Sequence, residues 1–397
     1  MTQRILDDYA DPGFQADPHP VYAEWRRAGP VRRTRLPGGL PVWLVTRYEE
    51  ARRALADPRL SKAERPGAGS PLPADIQEAF GRHMLAADPP DHTRLRRLVS
   101  AAFTARRIEA LRPRIEEITD GLLAAMAGRG EVDLIDAFAF PLPIQVICEL
   151  LGVPSADRDA FREWSNTIVG GAGAGGGLPE AMTAMIGYIR RLLAERRTSP
   201  GDDLLSGLIA VRDEGDTLTE DELTSMVFLL LIAGHETTVN LIGNGVYLLL
   251  RDRDRWGQLH ADPALLPSAI EEFLRFEAPV ETSTFRIATE ALDIGGVPIA
   301  AGDVVLVALL SANHDEQRFP GGGELRLDRE QNPHLAFGHG IHYCLGAPLA
   351  RLEAQVAFGR LLRAYPDLRL GVAPGDLSWR SGVIMRGLEA LPVFLPR

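Results

Sequence analysis

The sequence has almost no cysteine: two in 397 residues, Cys148 and Cys344. That excludes a disulfide framework and any four-cysteine metal cluster within the chain. An excess of positive charge is also missing, since 43 Lys+Arg stand against 54 Asp+Glu. Attraction to nucleic acid or to an anionic membrane is therefore not expected. Met1 to Pro20 is acidic and polar, with no apolar stretch of the kind a signal peptide carries. The longest apolar run, Met226 to Gly234, is shorter than a bilayer requires and ends in His235-Glu236. No internal repeat is present. No glycine fingerprint for a dinucleotide lies between a strand and a helix. These absences predict a soluble cytoplasmic protein in a reducing compartment; a monomer is expected.

What is abundant is apolar residue content, 45% against 24% charged, which supplies a large core and argues against global disorder. Helical periodicity dominates. Helices are expected at about 19–29, 46–56, 91–102, 106–127, 141–151, 155–169, 178–197, 264–277 and 344–364. Thr46 is the expected cap of the second, with Glu49 closing a capping box. Thr219 to Leu250 reads as one long helix, capped by Thr219-Glu220-Asp221-Glu222 and apolar nearly all round in its middle, hence buried. Val31–Leu36 and Pro41–Val45 read as a hairpin, and Val280–Ala288, Leu292–Ile294 and Val304–Val307 as strands. Short strands are expected around Gly382–Met385. Ser61 to Pro90 and Phe319 to Gly340 read as coil. Gly170 to Gly177 holds six glycines in eight residues, which suits either a lid hinge or a plain surface linker. The class is mainly α with minor β, in a single domain spanning 1–397.

Chemistry concentrates at Phe337-Gly338-His339-Gly340-Ile341-His342-Tyr343-Cys344-Leu345-Gly346. A cysteine ends a glycine-spaced loop at the start of a helix, where backbone N–H groups and the helix dipole favour thiolate. A lone thiolate among donors suits an axial ligand to haem iron. Cys148, among Ile144, Val146, Ile147 and Leu150, reads as core. In the long helix, Ala233-Gly234-His235-Glu236-Thr237-Thr238 interrupts an apolar run. Gly234 omits bulk where a ligand could press. Thr237 is placed to loosen local helical bonding, and the Glu236 carboxylate is costly to bury without a purpose. Glu272 and Arg275 share a helix face and can pair. His92 and Arg96, four residues apart in Asp88-Pro89-Pro90-Asp91-His92-Thr93-Arg94-Leu95-Arg96, can jointly hold a carboxylate.

These motifs, in this order, resemble those of the cytochrome P450 monooxygenases, particularly the bacterial members from actinomycete secondary metabolism. The resemblance covers nearly the whole chain. It implies the P450 fold, with the long helix over a haem b (iron protoporphyrin IX) and Cys344 as its metal ligand. Phe337, Gly338, Gly346 and Ala233 would line the cofactor. His92, Arg96, Arg286 and His342 would hold its propionates. Glu236 and Thr237 would deliver protons for dioxygen cleavage. Glu272 and Arg275 would form a buried structural ion pair. A second arginine usually joins that pair; Glu324-Leu325 stands where the family often has Arg-Phe, leaving Arg326 or Arg329 to substitute. His314 stands where many relatives have arginine.

The resemblance also implies a reaction: one oxygen atom of O2 enters an unactivated C–H bond or an alkene of a lipophilic small molecule such as a macrolide, polyketide, terpenoid or steroid. Met84, Leu85, Leu229, Ile232, Val280, Thr282, Ile384 and Met385 are the pocket candidates, with ordinary core as the competing reading. Seven arginines against one acid (Glu109) between His92 and Arg114 suit the docking of an acidic ferredoxin. Electrons are expected from that partner and its NAD(P)H-dependent reductase. Other classes remain: a haem-thiolate peroxygenase using hydrogen peroxide, a haem-based sensor without turnover, and a hydrolase pairing Cys344 with His342. The peroxygenase would not need Glu236-Thr237, and the hydrolase would not need His92, Arg96 and Arg286.

Overall fold

A computed structural model describes residue 9 and residues 11–37, 39–63, 74–170, 177–210 and 218–395. Its organising element is the 31-residue helix Glu220–Leu250. The predicted capping box closes its start: Glu222 N donates to Thr219 Oγ1 at 3.3 Å, and Thr219 N donates to Glu222 Oε2 at 2.8 Å. Three acids in the first turn meet the positive end of the dipole. Helices Ala74–Gly81, Pro141–Leu151, Leu178–Thr198, Leu266–Phe276 and Ala347–Ala364 pack around it. Three glycines allow its closest approaches. A Cβ would lie 2.5 Å from Ile135 Cδ1 on Gly243, 2.5 Å from Phe358 Cζ on Gly245 and 2.9 Å from Ile147 Cδ1 on Gly234. By length and mean hydropathy (1.5 over its best stretch) this helix could cross a membrane, but 67% of that stretch is buried inside the fold.

The β part is small. Strands β1 (Val31–Arg35), β2 (Pro41–Val45), β3 (Leu60–Ser61), β4 (Glu131–Asp133), β5 (Arg286–Ala288), β6 (Leu292–Ile294), β7 (Val297–Ile299), β8 (Val304–Val307), β9 (Arg369–Leu370) and β10 (Pro392–Phe394) form three sheets. The largest has the order β1-β2-β8-β5-β3, with β2 and β8 parallel and its other pairs antiparallel. The predicted hairpin is β1–β2. Apolar residues of this sheet and of the helix Tyr48–Ala56 make a second, smaller core beside the main one.

Several local expectations need correction. Thr46 does not cap the helix that follows; its hydroxyl donates to Gly29 O and Pro30 O. Tyr48 N is instead satisfied at 2.9 Å by Asp315 Oδ2, a cap brought in from 267 residues away. The segment expected as coil before Pro90 contains the helix Ala74–Gly81 and the turn Met84–Ala86; Phe80 and Met84 pack into the core, and that tertiary burial overrides the Pro- and Gly-rich context. The 106–127 stretch divides into Ala105–Ala110 and Arg112–Met126, with Pro113 at the start of the second where its missing N–H costs nothing. Val280–Ala288 is a strand only from Arg286; Val280 and Thr282 make isolated bridges to Met385 and Ala308. Helices Leu204–Ala210 and Arg253–Ala261 were not foreseen. Residues 171–176 of the glycine run lie outside the described residues.

Candidate functional site

The loop carrying Cys344 is shaped by two glycines. Gly338 and Gly340 have φ of 73° and 75°, a left-handed conformation that other residues resist. A Cβ on Gly340 would also come within 3.1 Å of Ala56 Cα and Leu55 O. The loop therefore packs closely against the helix Tyr48–Ala56 at Gly340, where the short turn Gly340–His342 begins. Cys344 N donates to Phe337 O at 2.9 Å, which ties off the turn. The helix Ala347–Ala364 begins just beyond. The Cys344 sulfur is solvent-accessible yet surrounded by protein. Burial pushes its thiol pKa up, and the N–H groups of Gly346 and Ala347, with the guanidinium groups of Arg96 and Arg351, oppose that rise. Arg351 lies 4.6 Å from the Phe337 ring centroid and is held by Glu271 at 2.7 and 2.8 Å.

Beneath this loop sits a buried ion cluster. Arg275 donates to both oxygens of Glu272 at 2.8 and 2.7 Å, and both side chains are fully buried. Arg329 supplies the second arginine, donating to Glu272 at 3.0 and 3.2 Å. Arg326 contributes its backbone N–H at 2.9 Å, with its guanidinium elsewhere, and Asn332 adds an amide at 3.1 Å. The arginines spend their other N–H groups on carbonyls of Asn313, Pro320, Gly321, Gly322 and Glu324. The coil before the cysteine is thereby fastened to the helix Leu266–Phe276. His314 has its own place here: its Nε2 bonds Phe276 O at 2.8 Å, and its ring lies 4.4 Å from that of His19. Burial, His19 and Arg275 hold its pKa well below the ordinary value, so it is neutral.

On the other side of Cys344 the charges behave differently. His92, on the helix Asp91–Ala102, is 2% exposed, and neither ring nitrogen has a hydrogen-bond partner. Its ring lies 4.4 Å from that of His342. Arg286, in β5, is 4% exposed and makes one long bond, 3.5 Å to Thr284 O. Arg96 lies close enough to Cys344 to feel its charge. Burial pushes each of these groups toward neutrality: His342 down to about 3, Arg286 down to about 10, His92 and Arg96 lowered. Asp88 faces them, but Ser61 Oγ and the N–H groups of Lys62 and Ala63 already occupy its carboxylate. The chain thus gathers cations and an unsatisfied imidazole with too little anion to match. Two carboxylates on a flat macrocycle above Cys344 would supply it; the donor set fits a haem.

The long helix is continuous through Ala233–Thr238. Thr237 Oγ1 donates to Ala233 O at 3.0 Å, one turn back, without interrupting the helix. Gly234 omits bulk for Ile147 of a neighbouring helix rather than for a ligand. In the middle of this largely buried helix, Leu229, Leu230, Ile232, Ala233, Gly234 and Thr237 are accessible at least in part. The Glu236 carboxylate, 3% exposed, is held by Arg380 from the C-terminal segment. Burial raises its pKa and Arg380 opposes the rise. Among the pocket candidates, Met84, Leu85, Val280, Ile384 and Met385 border the interior to differing degrees. Thr282 is fully buried and spends its hydroxyl on Val383 O at 2.8 Å, which makes it part of the wall. Sequence reasoning missed Arg380 and Arg351, whose partners are far away in sequence, and Lys62. Cys148 is fully buried in the core.

A helical protein that places one thiol among amide donors and beside unmatched cations has the site of a haem-thiolate oxygenase. Comparison with known proteins makes this specific. Residues 261–369 match the family described as Cytochrome P450. The chain is 54% identical over 395 residues to Cytochrome P450 107B1 of Saccharopolyspora erythraea, covering 96% of both chains. It is 41% identical to the polyketide biosynthesis cytochrome P450 PksS of Bacillus subtilis, covering 97% of each. The structure of the tirandamycin C-bound P450 monooxygenase TamI superimposes with a TM-score of 0.90 at 52% identity, over 97% of this chain and 99% of that one. The chain belongs to the cytochrome P450 family. It is a monooxygenase of the kind found in bacterial secondary metabolism, and its cofactor is haem b.

Proposed function

We propose that the chain, as one domain, hydroxylates or epoxidises a polyketide-type natural product, macrolides included, with electrons from an acidic ferredoxin and its NAD(P)H-dependent reductase, in the cytoplasm. The observation that carries this reading is the Cys344 thiol ringed by amide donors and by cations that the chain itself leaves unmatched. Similarity to a polyketide-biosynthesis enzyme and to a tirandamycin-bound one supports the substrate class.

Haem supplies the binding of dioxygen, cleavage of the O–O bond and transfer of one oxygen atom. Cys344 would bind its iron through the thiolate sulfur. Phe337, Gly338 and Gly346 on the cysteine side and Ala233 on the long helix would flank it. His92, Arg96, Arg286 and His342 would hold its carboxylates. Thr237, whose proton is donated to Ala233 O, keeps its lone pairs free to accept from a water or from the substrate side. Glu236 holds a proton more readily than an exposed carboxyl does, because burial raises its pKa. Together they form a route by which a proton is taken up near Arg380 and released toward Thr237. The apolar faces of Leu229, Ile232, Met84 and Leu85 exclude water and favour a lipophilic substrate.

The basic stretch is partly neutralised by the fold. Arg94 pairs with Glu222, Arg112 with Glu109, and Arg114 with Glu117 and Glu149. The steering of an acidic partner is correspondingly modest, and reduction by ferredoxin should slow as salt is raised.

The test is spectroscopic and then chemical. The reduced, carbon monoxide-bound protein should show the red-shifted Soret band of thiolate-ligated haem. A panel of macrolides and other polyketides should yield at least one low-to-high-spin shift and one product heavier by a single oxygen atom under ferredoxin-supported turnover. Absence of the band would defeat the reading. Turnover of terpenoids or steroids alone would defeat the substrate class.

A further inference from the structure

Lys62 is the only lysine in the chain; the other basic residues among the 43 Lys+Arg are arginines. It is also among the few basic residues that are buried, at 8% exposure. It follows β3 directly. The register of β3 on β5 pairs Leu60 with Ala288 and Ser61 with Ile287, so its continuation sets Lys62 opposite Arg286. Two like charges facing one another across a ladder are destabilising, the more so when shielded from water. The ammonium donates to Phe285 O at 3.1 Å and to Thr284 Oγ1, which leaves one of its three N–H groups unspent. Its charged neighbours are Arg286, which repels it, and Asp88, which attracts it while already accepting from Ser61 Oγ and two backbone N–H groups; His342 beside them is held neutral by burial and by these cations. Burial, with Arg286 adding to it, drops its pKa to about 7.

We propose that Lys62 is a further cationic contact to a haem carboxylate, shared with Arg286 on the opposite strand. The proposal rests on the haem-thiolate reading and adds a residue to it. The carboxylate offsets the repulsion between the two cations and accepts a hydrogen bond from the spare ammonium N–H. Without it, this corner of the sheet holds an uncompensated pair of charges. With it, the edge strand β3 is held to the cofactor through the side chain that follows it.

Because there is one lysine, its titration can be read without assignment. In the reduced, carbon monoxide-bound holoenzyme, whose iron is diamagnetic, lysine isotope-labelled at its ε-carbon should give one resonance. That resonance should titrate at or above the ordinary lysine value of 10.5. Titration near 7 in a protein that shows the thiolate-type Soret band would overturn the proposal and leave the family reading intact. Lack of that band would overturn the reading beneath it. As a second measurement, Lys62→Met should speed haem transfer to a scavenging apoprotein by about tenfold, the loss of one charge-assisted bond. Lys62→Arg should restore most of the retention. Equal transfer rates for the parent and Lys62→Met would also overturn the proposal, whereas a general loss of fold would appear as unfolding of both variants at lower denaturant.

Discussion

Two groups of buried charge flank the cysteine loop, and they are built on opposite plans. Around Glu272 every charge is answered. Arg275 and Arg329 close on one carboxylate and spend their remaining donors on five carbonyls. Around Arg286, charges are gathered and left open, with both nitrogens of His92 unpartnered and Asp88 already taken. A closed cluster stabilises a fold only if it stays intact, since removing one member strands the others. An open cluster costs stability in the chain alone and is recovered by a ligand of opposite charge. The contrast is the physical ground for proposing the first group as scaffold and the second as a binding site.

The largest effect should come from the residue between the two. Cys344→Ala should abolish the thiolate-type Soret band and all oxygenation, while the Glu272 cluster, which does not touch the sulfur, leaves the chain folded. Circular dichroism and the carbon monoxide spectrum together check this. A folded variant that still hydroxylates would refute the ligand assignment. Next, Glu272→Ala should cost about 3–5 kcal/mol, because two buried guanidinium groups lose their only carboxylate. Denaturant unfolding measures it; a loss below about 1 kcal/mol would mean that the carbonyls alone satisfy the arginines. Arg286→Met should invert that pattern. The chain's own stability should hold or rise as like-charge repulsion is relieved, while haem is lost at least tenfold faster, as for one or more charge-assisted bonds. If Arg286→Met destabilises the chain as much as Glu272→Ala does, the distinction between closed and open clusters fails.

Legibility in the sequence followed the range of the interactions. The long helix, its capping box and the Glu272–Arg275 pair all lie within a few residues of chain, so periodicity and spacing reveal them. The mainly α class with minor β was legible in the helical periodicity, the haem and the monooxygenase reaction in the cysteine loop motif, and all three hold in the comparisons. What was hidden depends on partners distant in sequence. Asp315 caps a helix 267 residues earlier. Arg380 reaches Glu236 over 144 residues, and β3 meets β5 across more than two hundred. The choice of Arg329 over Arg326 also required the fold, because both lie in the same coil and only the path of the chain decides which guanidinium points inward. Gly234 misled for the same reason: a missing side chain looks alike in sequence whether a ligand or Ile147 fills the space.

The smallest expected effect tests whether the Glu236–Arg380 pair belongs to the closed plan or to the open one. Burial raises the Glu236 pKa above its ordinary 4.5, and Arg380 pulls it back. Arg380 is 30% exposed, so the restoring force is partly screened by solvent. Arg380→Met removes that force and leaves burial alone, so the carboxyl stays protonated to higher pH. A carboxyl whose folded pKa exceeds its unfolded one favours the folded state least where it must ionise. The variant should therefore match its parent below pH 4.5 and lose stability relative to it as pH rises through the neutral range. In turnover, the pH at which reducing equivalents divert from product to peroxide should move upward. Thermal unfolding at several pH values and the ratio of product to NAD(P)H consumed measure the two effects. A stability shift with unchanged coupling would assign Arg380 to the scaffold, like Arg329. A shift in coupling with the chain intact would assign it to the site.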